Sequence, residues 1–91
     1  MNIDWSELIT KAIKAEAEAK RVLASVVGEN SRRRVIADKA IAPLQDAVDI
    51  DDATAAEVAL LKAWKKYRVA LNRLPDEPGY PTNIVWPVEP S

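Results

Sequence analysis

The sequence predicts an all-α protein: an antiparallel helical hairpin with an additional N-terminal helix, or an extended first arm, and a proline-rich extended C-terminal tail. Apolar residues recur at steps of three and four over most of residues 1–74, which is the helical period. A short acidic turn interrupts this pattern once. All but one of the six prolines come after residue 74. At 91 residues the chain allows one domain, so we expect a helical domain over residues 1–74 and a tail over 75–91.

The first helix is predicted over residues 5–27. Asp4 and Glu7 have the three-residue spacing of a capping box. The apolar stripe that follows is rich in alanine: Leu8, Ala12, Ala15, Ala19, Leu23 and Val26. Gly28 suits a helix end, and either Asn30 or Ser31 suits the cap of a second helix. A helix that continues through Gly28 costs about 1 kcal/mol relative to alanine, so an extended first arm stays open.

The second helical segment is predicted over residues 32–48. Its apolar side consists of Val35, Ile36, Ala40, Ile41, Leu44 and Val48. Pro43 lies inside the segment, where it removes a backbone hydrogen bond and clashes with the preceding turn. We therefore expect a kink at Pro43 or a break between Ala42 and Leu44.

The third helix is predicted over residues 55–73. Residues 49–53 form an acidic turn, and Thr54 with Glu57 makes a strong capping box. Basic residues concentrate towards the end of this helix, where they favour the helix macrodipole. Because a short turn joins two amphipathic segments, residues 32–74 predict the antiparallel hairpin, and residues 4–27 either extend its first arm or pack as a third helix.

The composition predicts a protein that is not an enzyme and has no cofactor or metal. The chain has no histidine and no cysteine, so the commonest general base and the thiolate metal ligands are missing. The acidic cluster Asp46–Asp52 is interpreted as a turn and a helix entry. The formal charge of −1 argues against a nucleic-acid partner, and the basic triplet Arg32–Arg34 is interpreted as a solvated helix face.

No apolar run reaches the ~20 residues of a membrane span, so no membrane partner is expected. The first residues have neither the basic nor the apolar region of a signal peptide. We therefore expect an intracellular, soluble protein.

The residues with the strongest potential for binding another protein lie in the third helix and in the tail. Tryptophan, tyrosine and arginine dominate the energetics of protein interfaces. The third helix could bury its aromatic rings in the hairpin core and leave a solvated basic side, or present a partner surface. The tail could cover the helices or hook a partner. The candidates are Trp64, Lys65, Tyr67, Arg68, Asn72, Tyr80 and Trp86.

Three stretches of the sequence resemble the C-terminal helical domain of bacteriophage tail fibre assembly proteins. They are Ile41–Asp49 before the acidic turn, Leu61–Arg73 with its segment AWKKYRVALNR, and Ile84–Pro87 with its Trp-Pro pair. The resemblance runs from about Ile36 to Pro87, which is over half of the chain. Many members carry a separate N-terminal β-rich domain before the helical one, whereas this sequence enters a predicted helix almost directly after Met1.

The resemblance implies a chaperone of the phage tail fibre. Such a protein binds the fibre tip and assists its folding or trimerisation, with the tail fibre protein as its partner and the bacterial host cytoplasm as the place of assembly. Two alternatives stay open: a structural terminal domain of a fibre that is retained in the virion tail, and a small nucleic-acid-binding prophage regulator. Homo-oligomerisation also stays open.

Overall fold

The computed structural model describes residues 4–90, and over this range the fold is all-α, as predicted. Helix α1 runs over Trp5–Asp49 and helix α2 over Ala55–Arg73. A single 3₁₀ turn, Leu74–Asp76, follows α2 directly. The remaining tail, residues 77–90, begins with turns and contains neither a helix nor a strand.

Helix α1 is one continuous helix of 45 residues, so the chain adopts the extended first arm and has no separate N-terminal helix. Asp4 caps it, because its Oδ1 accepts a hydrogen bond of 3.2 Å from the Glu7 amide. The helix neither ends near residue 27 nor restarts near residue 32. Gly28 is exposed and its position is open to solvent, so the only cost there is the modest propensity cost of glycine.

The expected break between Ala42 and Leu44 does not occur, because α1 continues through Pro43 to Asp49. The other outcome expected at Pro43, a kink, stays a prediction. Proline has no amide hydrogen, so the carbonyl of Lys39, one turn earlier, loses its helical partner. Both residues are exposed. Water can therefore replace the missing hydrogen bond, and the helix tolerates the proline.

The acidic turn closes α1 with a Schellman motif. The Asp52 amide donates to the Ala47 carbonyl at 2.8 Å, and the Asp51 amide donates to the Val48 carbonyl at 3.1 Å. Asp51 supplies the left-handed residue of this motif with φ of 56°. The predicted capping box of α2 is present, since the Thr54 and Glu57 side chains each accept from the other residue's amide. These caps explain where the two helices end and begin.

Helix α2 packs along the C-terminal half of α1. At its end, the Leu71 carbonyl accepts a 2.9 Å hydrogen bond from Asn30 Nδ2, and one turn earlier Arg68 Nη1 lies 3.1 Å from Asp38 Oδ1. The chain therefore reverses direction at the acidic turn. The buried core between the helices consists of Ala37, Ile41, Leu61, Tyr67, Leu71 and Leu74.

The tail returns over this core. Tyr80, Ile84 and Trp86 are partly buried and pack against it. Leu71 is fully buried beneath this layer. The molecule is 77 Å long and 19 Å wide because the N-terminal half of α1 projects beyond α2. Neither helix, within residues 4–90, has a stretch long and apolar enough to cross a membrane.

Candidate partner-binding surfaces

The two aromatic residues predicted on α2 lie at and near the core. Tyr67 is 3% exposed, and Trp64 is partly buried beside it. Their ring centroids lie 5.7 Å apart at an interplanar angle of 87°, which is a favourable edge-to-face contact. In this conformation Trp64 offers only part of its ring to a partner, and Tyr67 holds that ring in place.

Three of the predicted residues meet along one side of the junction between α1 and α2. Arg68 and Asn72 line a shallow hollow with Arg34 of α1. Asn72 and Arg34 also line the neighbouring hollow, which the tail residue Tyr80 closes. We call this surface, formed by Arg34, Arg68, Asn72 and Tyr80, the seam. It is polar and rich in arginine, with the Arg68 guanidinium paired to Asp38.

Lys65 lies on another side of α2, in an open apolar groove with a basic rim. The rim is basic because lysine and arginine side chains recur at helical spacing along the exposed side of α2. The floor is aliphatic, and Val58 and Val69 are exposed in it, at 49% and 42% of their surface. We call this surface the α2 groove, and it is lined by Val48, Val58, Leu61, Lys62, Lys65, Lys66, Val69, Ala70 and Arg73.

Trp86 extends the α2 groove onto the tail. It lines a second hollow that shares Ala70 and Arg73 with the groove. The guanidinium carbon of Arg33 lies 4.6 Å from the centroid of the Trp86 ring, which is a cation–π contact. This contact fixes the tail on α1, so Trp86 is both a tail anchor and part of an exposed surface.

Arg33 also belongs to a small ionic cluster on α1. Glu29 Oε1 lies 2.8 Å from Arg33 Nε and 2.7 Å from Arg32 Nη2. The hydrogen bond from Arg32, followed by that from Arg33, lowers the pKa of the Glu29 carboxyl from 4.5 to about 2. The carboxylate therefore stays ionised and orients both guanidinium groups.

Asn30 is the one polar residue buried in the described part of the chain, at 8% exposure. Its Nδ2 donates to the Leu71 carbonyl, while its Oδ1 has no hydrogen-bond partner among residues 4–90. Asn30 therefore joins α1 to the end of α2 through a single buried hydrogen bond. Its position one turn before Arg34 places it directly under the seam.

Sequence reasoning identified Lys65 but missed the groove around it. The available signal was the recurrence of Val58, Lys62, Val69 and Arg73 at steps of four and seven on one side of α2. The contacts of Arg33 with Glu29 and Trp86 were also missed. Their i, i+4 spacing on α1 predicts the first contact, but no sequence pattern predicts the second, because 53 positions separate the two residues.

The chemistry of these surfaces is that of binding. Among residues 4–90 no group of three or more acidic side chains is placed to hold a metal ion. The α2 groove combines an aliphatic floor with a cationic rim, which suits an extended segment that carries apolar and acidic side chains. The seam offers guanidinium and amide donors, which suit carboxylates and backbone carbonyls.

The chain matches one protein-family model almost throughout. The model is that of the Caudovirales tail fibre assembly protein, lambda gpK, and it covers residues 3–91. Among curated relatives, protein TfaD of Escherichia coli K12 is 43% identical over 77 residues, which is 82% of this chain and 40% of the relative. The tail fiber assembly protein of Escherichia phage lambda is 40% identical over 77 residues, 82% of this chain and 39% of the relative.

A shorter match has higher identity. A probable tail fiber assembly protein of Acyrthosiphon pisum secondary endosymbiont phage 1 is 52% identical over 54 residues, 59% of this chain and 34% of the relative. The chain thus spans about two fifths of the length of the curated relatives it matches. No solved structure matches it.

Proposed function

This chain belongs to the family of tail fibre assembly proteins of tailed bacteriophages, and we propose that within this role it binds the tip of a tail fibre and assists the fibre's folding or trimerisation. The observation that carries the proposal is the family match over residues 3–91. The family supports a role in phage assembly and an interaction with tail fibre proteins. The finer steps, binding at the tip and help with trimerisation, are our proposal.

The physical requirements of such a chaperone agree with this fold. A fibre tip exposes apolar surface and unpaired strands before it trimerises, and surface of that kind aggregates. A protein that covers it needs an exposed apolar surface together with charge that keeps the complex in solution. The α2 groove supplies the first through its valine floor and the second through its lysine rim.

We further propose the α2 groove as the main contact for the fibre. Of the residues predicted from the sequence, Lys65 lies in the groove and Trp86 lies beside it. The seam residues Arg68, Asn72 and Tyr80 would make a second contact, and Trp64 with Tyr67 would support both from beneath. The proposed occupant is an extended fibre segment with apolar and acidic side chains, which the aliphatic floor and the basic rim of the groove favour.

The experiment is co-expression of this chain with the C-terminal fragment of a tail fibre protein from the same phage. We expect soluble fibre trimer in the presence of the chain and aggregated fibre in its absence. The amount of trimer in the soluble fraction is measured by gel filtration. Equal amounts of soluble trimer with and without the chain would contradict the proposal.

The groove is tested by the double variant Lys62→Glu, Lys65→Glu, which reverses the rim charge. We expect it to lose at least tenfold in fibre binding, because an acidic rim repels an acidic segment. The matched control is Lys39→Glu, an exposed lysine on α1 outside the groove. Equal loss in both variants would exclude a specific role for the groove.

A second experiment, on purified phage particles, separates the chaperone from a structural terminal domain. A chaperone that acts only during assembly is expected to be absent from purified particles. Its presence there at a fixed ratio to the fibre would favour the structural role. Neither outcome depends on the groove variants, so the surface and the role are tested independently.

A further inference from the structure

The N-terminal part of α1 exposes a long apolar face. Trp5 is 66% exposed, Ile9 57% and Leu8 49%. Most of the stability of a helix in a protein comes from packing of its amphipathic face, and exposed i, i+4 ion pairs such as Lys11–Glu7 add little. We call residues 5–26 the free arm. Its apolar face is exposed from Trp5 to Ala19 and partly buried at Val22 and Val26, and it would be better packed against another helix.

The apolar face of the free arm has the spacing of a coiled coil. From Trp5 the apolar positions follow at alternating steps of three and four: Leu8, Ala12, Ala15, Ala19, Val22 and Val26. This is an uninterrupted a/d heptad pattern over three heptads. The face continues into the part of α1 that packs on α2, where Ala37 and Ile41 are buried. Helix α2 is too short to reach the free arm, so this part of the helix-packing face has no packing partner in the monomer.

We propose that the free arm pairs with the free arm of a second copy of this chain as an antiparallel coiled coil. The proposed register pairs Trp5 with Val22 of the second copy, Leu8 with Ala19, and Ala12 with Ala15. In an antiparallel pair, the numbers of two facing residues add up to a constant, and they do so for all three pairs. A single register therefore pairs every a/d position from Trp5 to Val22 with an a/d position of the second copy.

The position of α2 favours the antiparallel orientation. In each copy α2 packs on the continuation of the same face, beginning near Asn30. In a parallel pair both α2 helices would lie at the same end and occupy the space between the two α1 helices. In the antiparallel pair each α2 lies beyond the end of the partner's free arm, so the two α2 helices stay apart.

The length and shape of the free arm also fit this register. An open groove runs along Ala15, Ala19 and Val22 and is closed at one end by the tail residues Pro81 and Thr82. The second copy would place Leu8 and Trp5 in this groove, with the indole next to Pro81. Large side chains then face small ones at both ends, with alanine facing alanine in the centre, which allows even packing along the whole interface.

The charges beside the stripe are complementary in the same register. Lys11 and Glu18 both take the g position of their heptads, and g positions face one another in an antiparallel pair. Lys11 of one copy therefore faces Glu18 of the other, and the reciprocal pair forms at the opposite end. Both side chains are exposed in the monomer, with Lys11 and Glu18 bound only to neighbours on the same helix.

The first experiment measures mass and orientation. Light scattering of the full chain is expected to give a dimer that dissociates on dilution. Because the chain has no cysteine, single cysteines report the register directly. A mixture of Leu8→Cys and Ala19→Cys is expected to form the mixed disulfide in preference to either homodimer. A monomer at all concentrations, or preferential disulfides between two copies of Leu8→Cys, would overturn the proposal.

The second experiment changes the interface with a matched control. Ala12→Glu places charge in a central layer and is expected to weaken dimerisation at least tenfold, whereas Ala17→Glu, an exposed position on the opposite side, leaves it unchanged. Lys11→Glu is expected to weaken the dimer and the double variant Lys11→Glu, Glu18→Lys to restore it. Far-UV circular dichroism checks that each variant is folded. Equal effects at positions 12 and 17, or no rescue by the double variant, would contradict the assigned register.

Discussion

At the scale of single residues, Arg33 connects two parts of the fold that are distant in the sequence. It binds Glu29 four residues earlier on α1 and stacks on the ring of Trp86 in the tail. One side chain thus joins the ionic cluster of α1 to the docked tail. Arginine suits this position because its flat guanidinium group can stack on an aromatic ring and bind a carboxylate at the same time.

The ionic cluster predicts an acid-dependent stability. The Glu29 pKa is lowered to about 2 by Arg32 and Arg33, so the carboxylate stabilises the fold fully above pH 4.5. That contribution is lost as the pH falls from 4.5 towards 2. We expect Glu29→Gln to be less stable than the native chain at pH 6 and to show a smaller loss of stability between pH 4.5 and 2. Urea unfolding at several pH values measures both differences.

Glu16 provides a matched control for this measurement. It also pairs with a basic residue four positions away, Lys20, but both side chains are more than two-thirds exposed. An exposed pair of this kind contributes little to stability. We expect Glu16→Gln to leave the free energy of unfolding at pH 6 nearly unchanged, and an equal loss in both variants would contradict the role of Glu29.

A second prediction concerns the buried amide of Asn30. Its Nδ2 donates to the Leu71 carbonyl, so Asn30→Asp would replace a donor with a carboxylate facing that carbonyl. We expect a loss of about 2–4 kcal/mol in the free energy of unfolding near neutral pH. Asn72→Asp, an exposed control, should cost less than about 0.5 kcal/mol. Thermal or urea unfolding measures both, and similar values would show that the bond contributes little.

At the scale of elements, the two glycines predict opposite responses to alanine. Gly28 lies inside α1 with nothing within 4 Å of an added Cβ, so Gly28→Ala should stabilise the fold by about 0.5–1 kcal/mol. Gly79 has φ of +86°, and an added Cβ would lie 3.1 Å from Cβ of Asn83. Gly79→Ala should therefore destabilise the tail turn. Unfolding curves that show a stabilising effect at Gly79 would contradict this assignment.

The ends and the continuity of α1 and α2 show how far the fold can be predicted from the sequence. The capping box at Thr54 and the cap at Asp4 could be predicted because capping depends on local spacing. The sequence leaves a kink and a break open at Pro43, because it does not give the exposure of Lys39, whose carbonyl loses its helical partner; the structure excludes the break. The continuity through Gly28 was similarly undecided, because glycine is compatible with both a helix end and an exposed helix interior.

The candidate surfaces were predictable to a smaller degree. The helical period places Lys65 outside the core, and the interface propensity of tryptophan singled out Trp86. The α2 groove, in contrast, depends on how α2 packs beside Val48 of α1. The seam depends on how the tail returns over the helices. That path is set by contacts such as Arg33 with Trp86, which join distant parts of the chain.

At the scale of the whole molecule, the tail is expected to stabilise the fold without being needed for helix formation. The residues that α1 and α2 bury against each other lie before Pro75, while Tyr80, Ile84 and Trp86 cover that core and are only partly buried. We expect truncation after Leu74 to retain the far-UV helical signal and to lower the free energy of unfolding by about 2–3 kcal/mol. A collapse of the helical signal would show instead that the tail completes the core.

The three tryptophans give each region of this molecule its own optical signal. Trp5 is on the free arm, Trp64 lies at the edge of the helical core, and Trp86 stacks on a guanidinium in the tail. Variants that keep a single indole would report separately, through emission wavelength and quenching, on arm association, helix unfolding and tail release. Fluorescence titrations of these variants can thus follow self-pairing and fibre capture without an attached dye.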